Sequence, residues 1–166
     1  MITIRKFTLD DVTTTFAYSS DFENTHLMLM VPQKTIEETR DFLEKCIAEY
    51  DKENPEYLSF AVCLDGLHIG EVFVCLSVKE ADIGWLIHKR YWGNGYATEA
   101  AKQLVEYIRT ELKRSDIVAY CDERNIASQK VMRNIGMEFA GSNGIRTYEK
   151  DVEDWEEVKY QLKQEK

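Results

Sequence analysis

The stretch from Arg90 to Ala97, which reads Arg-Tyr-Trp-Gly-Asn-Gly-Tyr-Ala, carries residue types that bind phosphate groups. Its two glycines, separated by one residue, let the backbone turn freely and approach a ligand closely. The helix predicted directly behind them would direct unpaired N–H groups and the positive end of its dipole at the loop. Arg90 adds a permanent cation whose planar fork suits phosphate oxygens. We call residues 90–97 the glycine loop. An ordinary strand-to-helix turn would use the same glycines without binding anything.

Two common phosphate-binding motifs fit the glycine loop poorly. A Walker A loop needs Gly-Lys-Ser/Thr, but Gly95 is followed by Tyr96. A dinucleotide-binding fold places its first glycine tight against the end of the first strand, whereas here residues 89–92 intervene. Asp122, at the end of the next predicted strand, could still serve as the acid that binds the ribose. A dinucleotide site therefore stays open as an alternative.

The composition is that of one globular domain spanning residues 1–166. The chain is 44% hydrophobic and 31% charged, and no apolar run is long enough to span a bilayer. Its N-terminus lacks the apolar core of a signal peptide, so we expect a cytoplasmic location and no membrane partner. The net charge of −9 argues against binding nucleic acid through its phosphates. An acidic balance favours cationic substrates such as amines, although it also serves solubility.

The cysteines and histidines do not form a metal-binding pattern. The four cysteines include no Cys-x-x-Cys pair, and the three histidines are scattered along the chain. We therefore predict no metal site. Each cysteine lies in an apolar stretch, which is typical of reduced, buried thiols.

Periodicity and turn residues predict elements in the order β-α-α-β-β-β-α-β-α-β-β, a mixed α+β domain. Thr8 and Thr35 are each followed by an acidic residue three positions later, which predicts two helix starts. The Asp65-Gly66 pair predicts a tight hairpin. Two short strands are expected around the turn at residues 142–144. Residues 152–166 fit either a strand or a helix.

Two sequence blocks carry a family resemblance. The pattern Arg90-x-x-Gly93-x-Gly95 resembles the acetyl-CoA signature of the GNAT superfamily of N-acetyltransferases. Residues 81–100 are similar to the branch that contains the RimJ/RimL ribosomal-protein N-terminal acetyltransferases, and residues 125–136 resemble that branch's second block. The resemblance implies a single GNAT-like domain with a mixed, mostly antiparallel sheet of about seven strands, flanked by about four helices. It also implies acetyl-CoA as co-substrate and, as acceptor, a primary amine of a protein N-terminus or a small molecule.

The resemblance also assigns site residues. In this family the fourth strand splays from the fifth, and the pantetheine arm of acetyl-CoA lies in the gap. The implied cofactor-binding residues are therefore those that end the fourth strand, form the glycine loop and begin the second block: Ile87, His88, Arg90, Gly93, Asn94, Gly95, Tyr96, Ala97, Thr98 and Asn125. The backbone N–H of Ile87 is the implied donor to the oxyanion. A plain helix N-cap explains Asn125 equally well.

A general base is useful because alkyl amines are protonated at neutral pH. Asp82 matches the acidic family position at the start of the fourth strand, and Glu71 and His88 are rivals for the same role. Alternation along the strand puts Asp82, Gly84, Leu86 and His88 on one face.

At the position of the usual general acid, this sequence departs from the family pattern. Many superfamily members use a tyrosine seven residues after the Asn of the second block, but this chain has Met132 there, which has no proton to donate. Ser128, Tyr148 or a water molecule is left to protonate the thiolate. Because of Met132, a catalytically degenerate CoA-binding sensor is an alternative to the enzyme, and a nucleotide-binding oxidoreductase is a more distant one. The oligomeric state is open between monomer and homodimer.

Overall fold

The computed structural model describes residues 1–163 and contains one seven-stranded sheet. The strands are β1 (Ile2–Lys6), β2 (Tyr57–Leu64), β3 (Leu67–Leu76), β4 (Ala81–Ile87), β5 (Ile117–Asp122), β6 (Met137–Arg146) and β7 (Trp155–Leu162). The helices are α1 (Val12–Ser19), α2 (Phe22–Thr25), α3 (Ile36–Glu49), α4 (Tyr96–Thr110) and α5 (Ile126–Asn134). Short 3₁₀ turns cover Leu9–Asp11 and Lys89–Tyr91. The predicted α+β class and the sheet of seven strands are confirmed, with five helices where about four were expected.

Local sequence signals set most element boundaries. Thr35 caps α3, and its side chain accepts the N–H of Glu38 at 3.2 Å. Asp65 and Gly66 both have positive φ, as the tight hairpin between β2 and β3 requires. The short α2 was not predicted; Asp21 caps it by accepting the N–H of Asn24 at 3.1 Å.

The sheet carries helices on both faces. Its strand order is β1-β2-β3-β4-β5-β7-β6, and every neighbouring pair is antiparallel except β4 and β5. Phe60 and Val62 of β2 pack in the core that contains α4 and α5. Ala61 and Cys63, which alternate with them, pack in a second core with residues of α1 and α3. The alternation places α4 and α5 on one face, and α1 and α3 on the other.

The parallel strands β4 and β5 pair only at their beginnings. Ala81 lies opposite Ile117 and Asp82 lies opposite Val118, and no further residues of the two strands are paired. Beyond Asp82 the strands diverge and leave a gap in the middle of the sheet. This is the splay that the family resemblance implies.

Three sequence predictions need correction or completion. The expected pair of strands around residues 142–144 is one continuous strand, β6, because two bulges, at Phe139/Gly141 and at Ser142/Ile145, absorb the extra residues in place of a turn. Cys75 is exposed at the end of β3, whereas the other cysteines are buried. The last segment forms strand β7, and residues 164–166 lie outside the described part of the chain. Within the described part, no helix is long and apolar enough to cross a membrane.

Candidate active site

A cavity of about 540 Å³ lies at the open end of the gap, between the end of β4 and the residues that follow β5. Four parts of the chain line it: α2 with the residues that follow it, the end of β4, the glycine loop with the start of α4, and the start of α5. The predicted site residues on its lining are Ile87, Gly93, Gly95, Tyr96, Ala97, Thr98, Asn125 and Ser128. The cavity therefore joins the two sequence blocks that lie some thirty residues apart in the chain.

The glycine loop presents its backbone to this cavity. Gly93 and Gly95 have φ angles of 79° and 78°, a region that costs a non-glycine residue about 1–2 kcal/mol. A Cβ added to either glycine would meet no atom within 4 Å, so the loop borders open space there. Asn94 braces the loop, since its side-chain N–H groups donate to the carbonyls of Tyr91 and Trp92 at 3.1 and 3.0 Å.

The first turn of α4 supplies free backbone donors. The N–H of Glu99 is bonded to the carbonyl of Gly95 at 3.1 Å. The N–H groups of Tyr96, Ala97 and Thr98 come before this first helical bond and have no intrahelical acceptor. Since α4 is 15 residues long, its dipole adds positive potential at the same place. This arrangement suits an anion such as a pyrophosphate.

Arg90 and His88 lie beside the cavity rather than on its lining. The Arg90 side chain is exposed and has no hydrogen-bond or ion-pair partner among residues 1–163, which leaves its guanidinium available. The Nδ1 of His88 accepts the N–H of Arg90 at 3.1 Å and so caps the turn at residues 89–91. His88 thus shapes the loop entrance in this structure.

The carbonyl of Ile87 is held by two side chains. Asn24 Nδ2 and Trp92 Nε1 both donate to it, each at 2.7 Å. The N–H of His88 bonds to Ile69 on β3 at 2.9 Å, so the preceding residue's N–H points to the opposite edge of β4, toward the gap. Because the carbonyl already has partners, the N–H is the group of Ile87 that can contact a ligand in the gap.

Asn125 and Ser128 begin α5 at the cavity wall. The Oδ1 of Asn125 accepts the N–H of Ser128 at 3.0 Å, which makes Asn125 a helix N-cap as the sequence allowed. Its amide N–H groups have no partner among the described residues, so they remain free for a ligand. Met132 lies one turn further and is only 2% exposed, packed in the core beneath α5.

Asp82 lies at the closed end of the gap, where β4 and β5 last pair. It is three residues before Trp85, the first β4 residue on the cavity lining, or roughly 10 Å along the strand. Burial, reinforced by the nearby charges of Glu80 and Glu157, raises the pKa of Asp82 to about 7, and Arg146 partly opposes the shift. A carboxyl with this pKa takes up and releases protons near neutral pH.

Glu71 has a similar pKa but a different environment. Burial raises its pKa to about 7, and the side chain lies on the same face of the sheet as Leu86, its partner in the β3–β4 register. One of its carboxylate oxygens is buried without a hydrogen-bond partner. Phe73 separates it from Asp82, since the Phe73 ring fills the space beside Gly84 and would lie within 2.3 Å of a Cβ there.

Tyr148 and Asp122 form a closed polar cluster beside the cavity. The hydroxyl of Tyr148 donates to Asp122 at 2.8 Å, and Arg124 donates to both oxygens of the same carboxylate. Burial and this hydrogen bond raise the pKa of Tyr148, which makes it a poor proton donor at neutral pH. Although burial opposes it, the hydrogen bonds from Arg124 and Tyr148 lower the pKa of Asp122. Asp122 is fully buried and engaged, so it is not placed to hold a ribose.

Comparisons with known proteins agree with this geometry. The family model described as an acetyltransferase (GNAT) domain matches residues 1–138. An uncharacterized N-acetyltransferase, YnaD of Bacillus subtilis (strain 168), is 31% identical over 164 residues, which cover 98% of this chain and 93% of that protein. The chain belongs to the GNAT acetyltransferase family.

Solved GNAT structures share the fold over nearly the whole chain. An acetyltransferase of the GNAT family from Bacillus anthracis superposes with a TM-score of 0.79 at 28% identity, covering 96% of this chain and 92% of that one. The RimL ribosomal L7/L12 alpha-N-protein acetyltransferase, solved with coenzyme A, superposes with a TM-score of 0.80 at 17% identity, covering 97% and 94%. Family membership makes this protein an acetyl-CoA-dependent acyltransferase.

The residues around the gap fit acetyl-CoA. The glycine loop and the start of α4 offer unpaired N–H groups, the gap exposes the Ile87 N–H, and Asn125 offers a free amide. Sequence reasoning missed Asn24, Leu27 and Met28, which line the gap from the side of α2. The one local signal was Asp21 followed three residues later by Asn24, which is typical of a helix N-cap but does not reveal what the helix contacts. Among residues 1–163, no group of three or more His, Cys, Asp or Glu side chains is placed to hold a metal ion.

Proposed function

We propose that this GNAT acetyltransferase transfers the acetyl group of acetyl-CoA directly to a primary amine, on a protein N-terminus or on a small molecule. One observation carries the proposal: the N–H groups that begin α4 and the end of β4 line one cavity at the open end of a gap, and a carboxyl group, Asp82, lies at its closed end. An anion-binding loop and a base tuned to neutral pH thus lie at opposite ends of one opening in the sheet.

Each of the cofactor-binding residues has a role in this proposal. The N–H groups that begin α4 and the guanidinium of Arg90 bind the pyrophosphate of acetyl-CoA, and the amide of Asn125 binds the pantetheine arm. When bound, acetyl-CoA supplies an acetyl group activated as a thioester. The N–H of Ile87 donates to the oxygen that becomes negative during transfer.

The proton path uses two side chains. Asp82 accepts the proton of the acceptor amine through a water relay, because the separation along β4 is too long for direct contact. Ser128, on the cavity wall, is the side chain we assign to the protonation of the thiolate. Tyr148 is set aside because its hydroxyl donates to Asp122 and it does not line the cavity. Met132 is buried in the core.

The acceptor enters from the side of α2 in this proposal. Leu27, Met28 and Leu86 make that wall of the cavity apolar, which favours an amine with an apolar neighbouring group. A peptide N-terminus meets this description, and the fold likeness to RimL, named for acetylating a ribosomal-protein N-terminus, is in keeping with it. The net charge of −9 further favours a cationic amine.

Neither alternative from the sequence is favoured. A nucleotide-binding oxidoreductase would need Asp122 free to bind ribose, but this carboxylate is buried and bonded to Arg124. Membership of the acetyltransferase family argues against a CoA sensor without catalysis. A cytoplasmic location and a monomeric or homodimeric state remain predictions.

A two-part experiment tests the proposal. Calorimetry with acetyl-CoA, NAD and ATP is expected to give binding of acetyl-CoA alone. Mass spectrometry of a panel of short peptides with different N-terminal residues, polyamines and aminoglycosides, each incubated with enzyme and acetyl-CoA, is expected to reveal a mass increase of one acetyl group on at least one amine. Tight acetyl-CoA binding without any acetylated product across the panel would favour the sensor instead.

A further inference from the structure

A lysine from the connection between β6 and β7 holds the segment that follows α2. The Nζ of Lys150 donates to the backbone carbonyls of Thr25, Met28 and Met30, at 2.5, 2.5 and 2.7 Å. An ammonium group has three N–H donors, so these contacts use all of them. Lys150 is 120 to 125 residues away from its partners in the chain. The contacts therefore fix tertiary structure. We call residues 25–30 the wall segment.

The wall segment has few other means of holding its shape. Residues 26–35 contain no helix or strand. Within the wall segment, the backbone N–H of Met28 donates to the carbonyl of Thr25 at 2.9 Å. Carbonyls outside regular structure need other donors, and Lys150 supplies them. Arg146, which precedes Lys150, adds a weaker hydrogen bond, since its guanidinium donates to the carbonyl of Leu27 at 3.3 Å.

The wall segment is also a wall of the cavity. Leu27 and Met28 line it together with Leu86 of β4. Asn24, directly before the segment, donates to the carbonyl of Ile87 and accepts the N–H of Lys89 at 3.0 Å. Asn24 therefore anchors one end of the wall to β4. Lys150 anchors the remainder to the opposite side of the gap, where β5 and β7 lie.

We propose that Lys150 is a positioning residue for the acceptor: it holds Leu27 and Met28 in place and thereby selects primary amines that carry an apolar group beside the nitrogen. This inference rests on the proposed function, because it concerns the acceptor side of the same cavity. Burial, and to a smaller extent Arg146, lowers the pKa of Lys150 to about 8, so the three-donor ammonium form prevails at pH 7. A partly buried ammonium needs acceptors to compensate for lost water, and the three carbonyls provide them here.

The test compares Lys150→Met with Lys52→Met. Methionine keeps the length of the side chain and removes all three donors. Lys52 is a matched control because it is an exposed lysine, paired with Glu49, that does not line the cavity. Hydrogen exchange of the backbone amides of residues 26–31 is measured first, without any ligand. We expect exchange about tenfold or more faster in Lys150→Met, the loss typical of charge-assisted hydrogen bonds, and no change in the control.

Kinetics then separates the acceptor from acetyl-CoA. With Lys150→Met, the KM for a peptide that begins with Leu or Met should rise about tenfold, while the KM for a peptide that begins with Gly changes little. The Kd for acetyl-CoA, from calorimetry, should stay within about twofold, because the glycine loop does not contact Lys150. A rise in acceptor KM at nearly constant kcat distinguishes positioning from a direct role in proton transfer.

Each outcome decides the inference. Unchanged exchange in Lys150→Met would show that the lysine does not hold the wall segment. Faster exchange with unchanged selectivity would overturn its role toward the acceptor. If the wild-type enzyme acetylates no amine, the proposed function fails. The exchange measurement then still shows whether Lys150 holds the wall segment. If Lys150→Met does not fold, the same measurements are made on Lys150→Gln. Met28→Ala, which shortens a wall side chain directly, must then lower the preference for apolar amines.

Discussion

Replacing Asp82 by Asn should lower turnover by about 10²–10⁴-fold, the range observed when a general base is lost. Asparagine keeps the shape of the side chain and removes its capacity to accept a proton. Binding of acetyl-CoA should be nearly unchanged, because Asp82 lies at the closed end of the gap and the glycine loop at its open end. Raising the pH should partly restore the variant's rate, since more of the amine then arrives neutral.

The raised pKa of Asp82 also predicts the pH below which the wild-type rate falls. With a pKa of about 7, the Asp82 carboxylate is about half ionised at pH 7 and about one-tenth ionised at pH 6. The rate should therefore fall about fivefold from pH 7 to pH 6 and about tenfold for each further pH unit below 6. Ionisation of the acceptor amine adds to this limb, so an acceptor of known pKa must be used. In Asp82→Asn, the only pH dependence of the rate that remains below pH 7 should be the ionisation of the acceptor amine.

The raised pKa predicts a stability change with a definite sign. The pKa of Asp82 rises from its ordinary value of 3.8 to about 7 on folding, so its protonated form favours the folded state. This contribution is complete below pH 4 and is lost as the pH rises toward 7. Asp82→Asn, which cannot ionise, should thus gain stability relative to the wild type between pH 4 and pH 8, as thermal unfolding at several pH values would measure.

The matched control is Glu71→Gln. Glu71 has the same raised pKa of about 7 and, like Asp82, is not on the cavity lining, but Phe73 separates the two carboxyl groups. We expect Glu71→Gln to share the change in stability but to keep the wild-type acidic limb of the rate. If Asp82→Asn retains wild-type turnover from pH 6 to 9 while Glu71→Gln loses it, the assignment of the base to Asp82 is wrong.

Three further predictions concern the cofactor side. Arg90→Ala should weaken acetyl-CoA binding by about 1.5–3 kcal/mol, as calorimetry would measure, and an unchanged Kd would remove Arg90 from the pyrophosphate site. Gly95→Ala should lose about 1–2 kcal/mol of stability, because Gly95 has a φ of 78°, and it should also bind acetyl-CoA more weakly. Gly66→Ala is the control: Gly66 has a φ of 87° in the hairpin, so this variant should lose stability without a change in acetyl-CoA binding. Met132→Leu should cost less than about 1.5 kcal/mol of stability and leave the pH profile of the rate unmoved, whereas a shifted basic limb would show that Met132 contributes to the chemistry.

Features that depend on neighbouring residues were predictable from the sequence. The cap of α3 at Thr35, the hairpin at Asp65-Gly66 and the N-cap at Asn125 each need only a few adjacent residues. The glycine loop belongs to the same class, because positive φ at Gly93 and Gly95 is a local property. The order of two such blocks was enough to indicate the family.

Features that join distant parts of the chain were not predictable in the same way. Asn24 reaches Ile87 across 63 residues, and no local pattern marks that contact. The raised pKa of Asp82 depends on burial and on charges from other strands, such as Glu157 of β7. Gly144, in the turn predicted at residues 142–144, lies instead in a bulge of β6, since both turns and bulges use residues with positive φ.

The short pairing between β4 and β5 makes the sheet mechanically two pieces, one of strands β1 to β4 and one of strands β5 to β7. Only two residue pairs join them in the sheet. The remaining cohesion comes from helices that pack across the seam, as α4 does with α5, and from side-chain hydrogen bonds such as those of Lys150. A cosubstrate in the gap would take the place of the missing sheet contacts. It would bind the folded chain and not the unfolded chain. At a concentration one hundred times its Kd, such a ligand adds about 2.7 kcal/mol to the free energy of unfolding. The opening proposed to admit acetyl-CoA is thus also a seam of the fold, and bound cosubstrate would help to hold its two sides together.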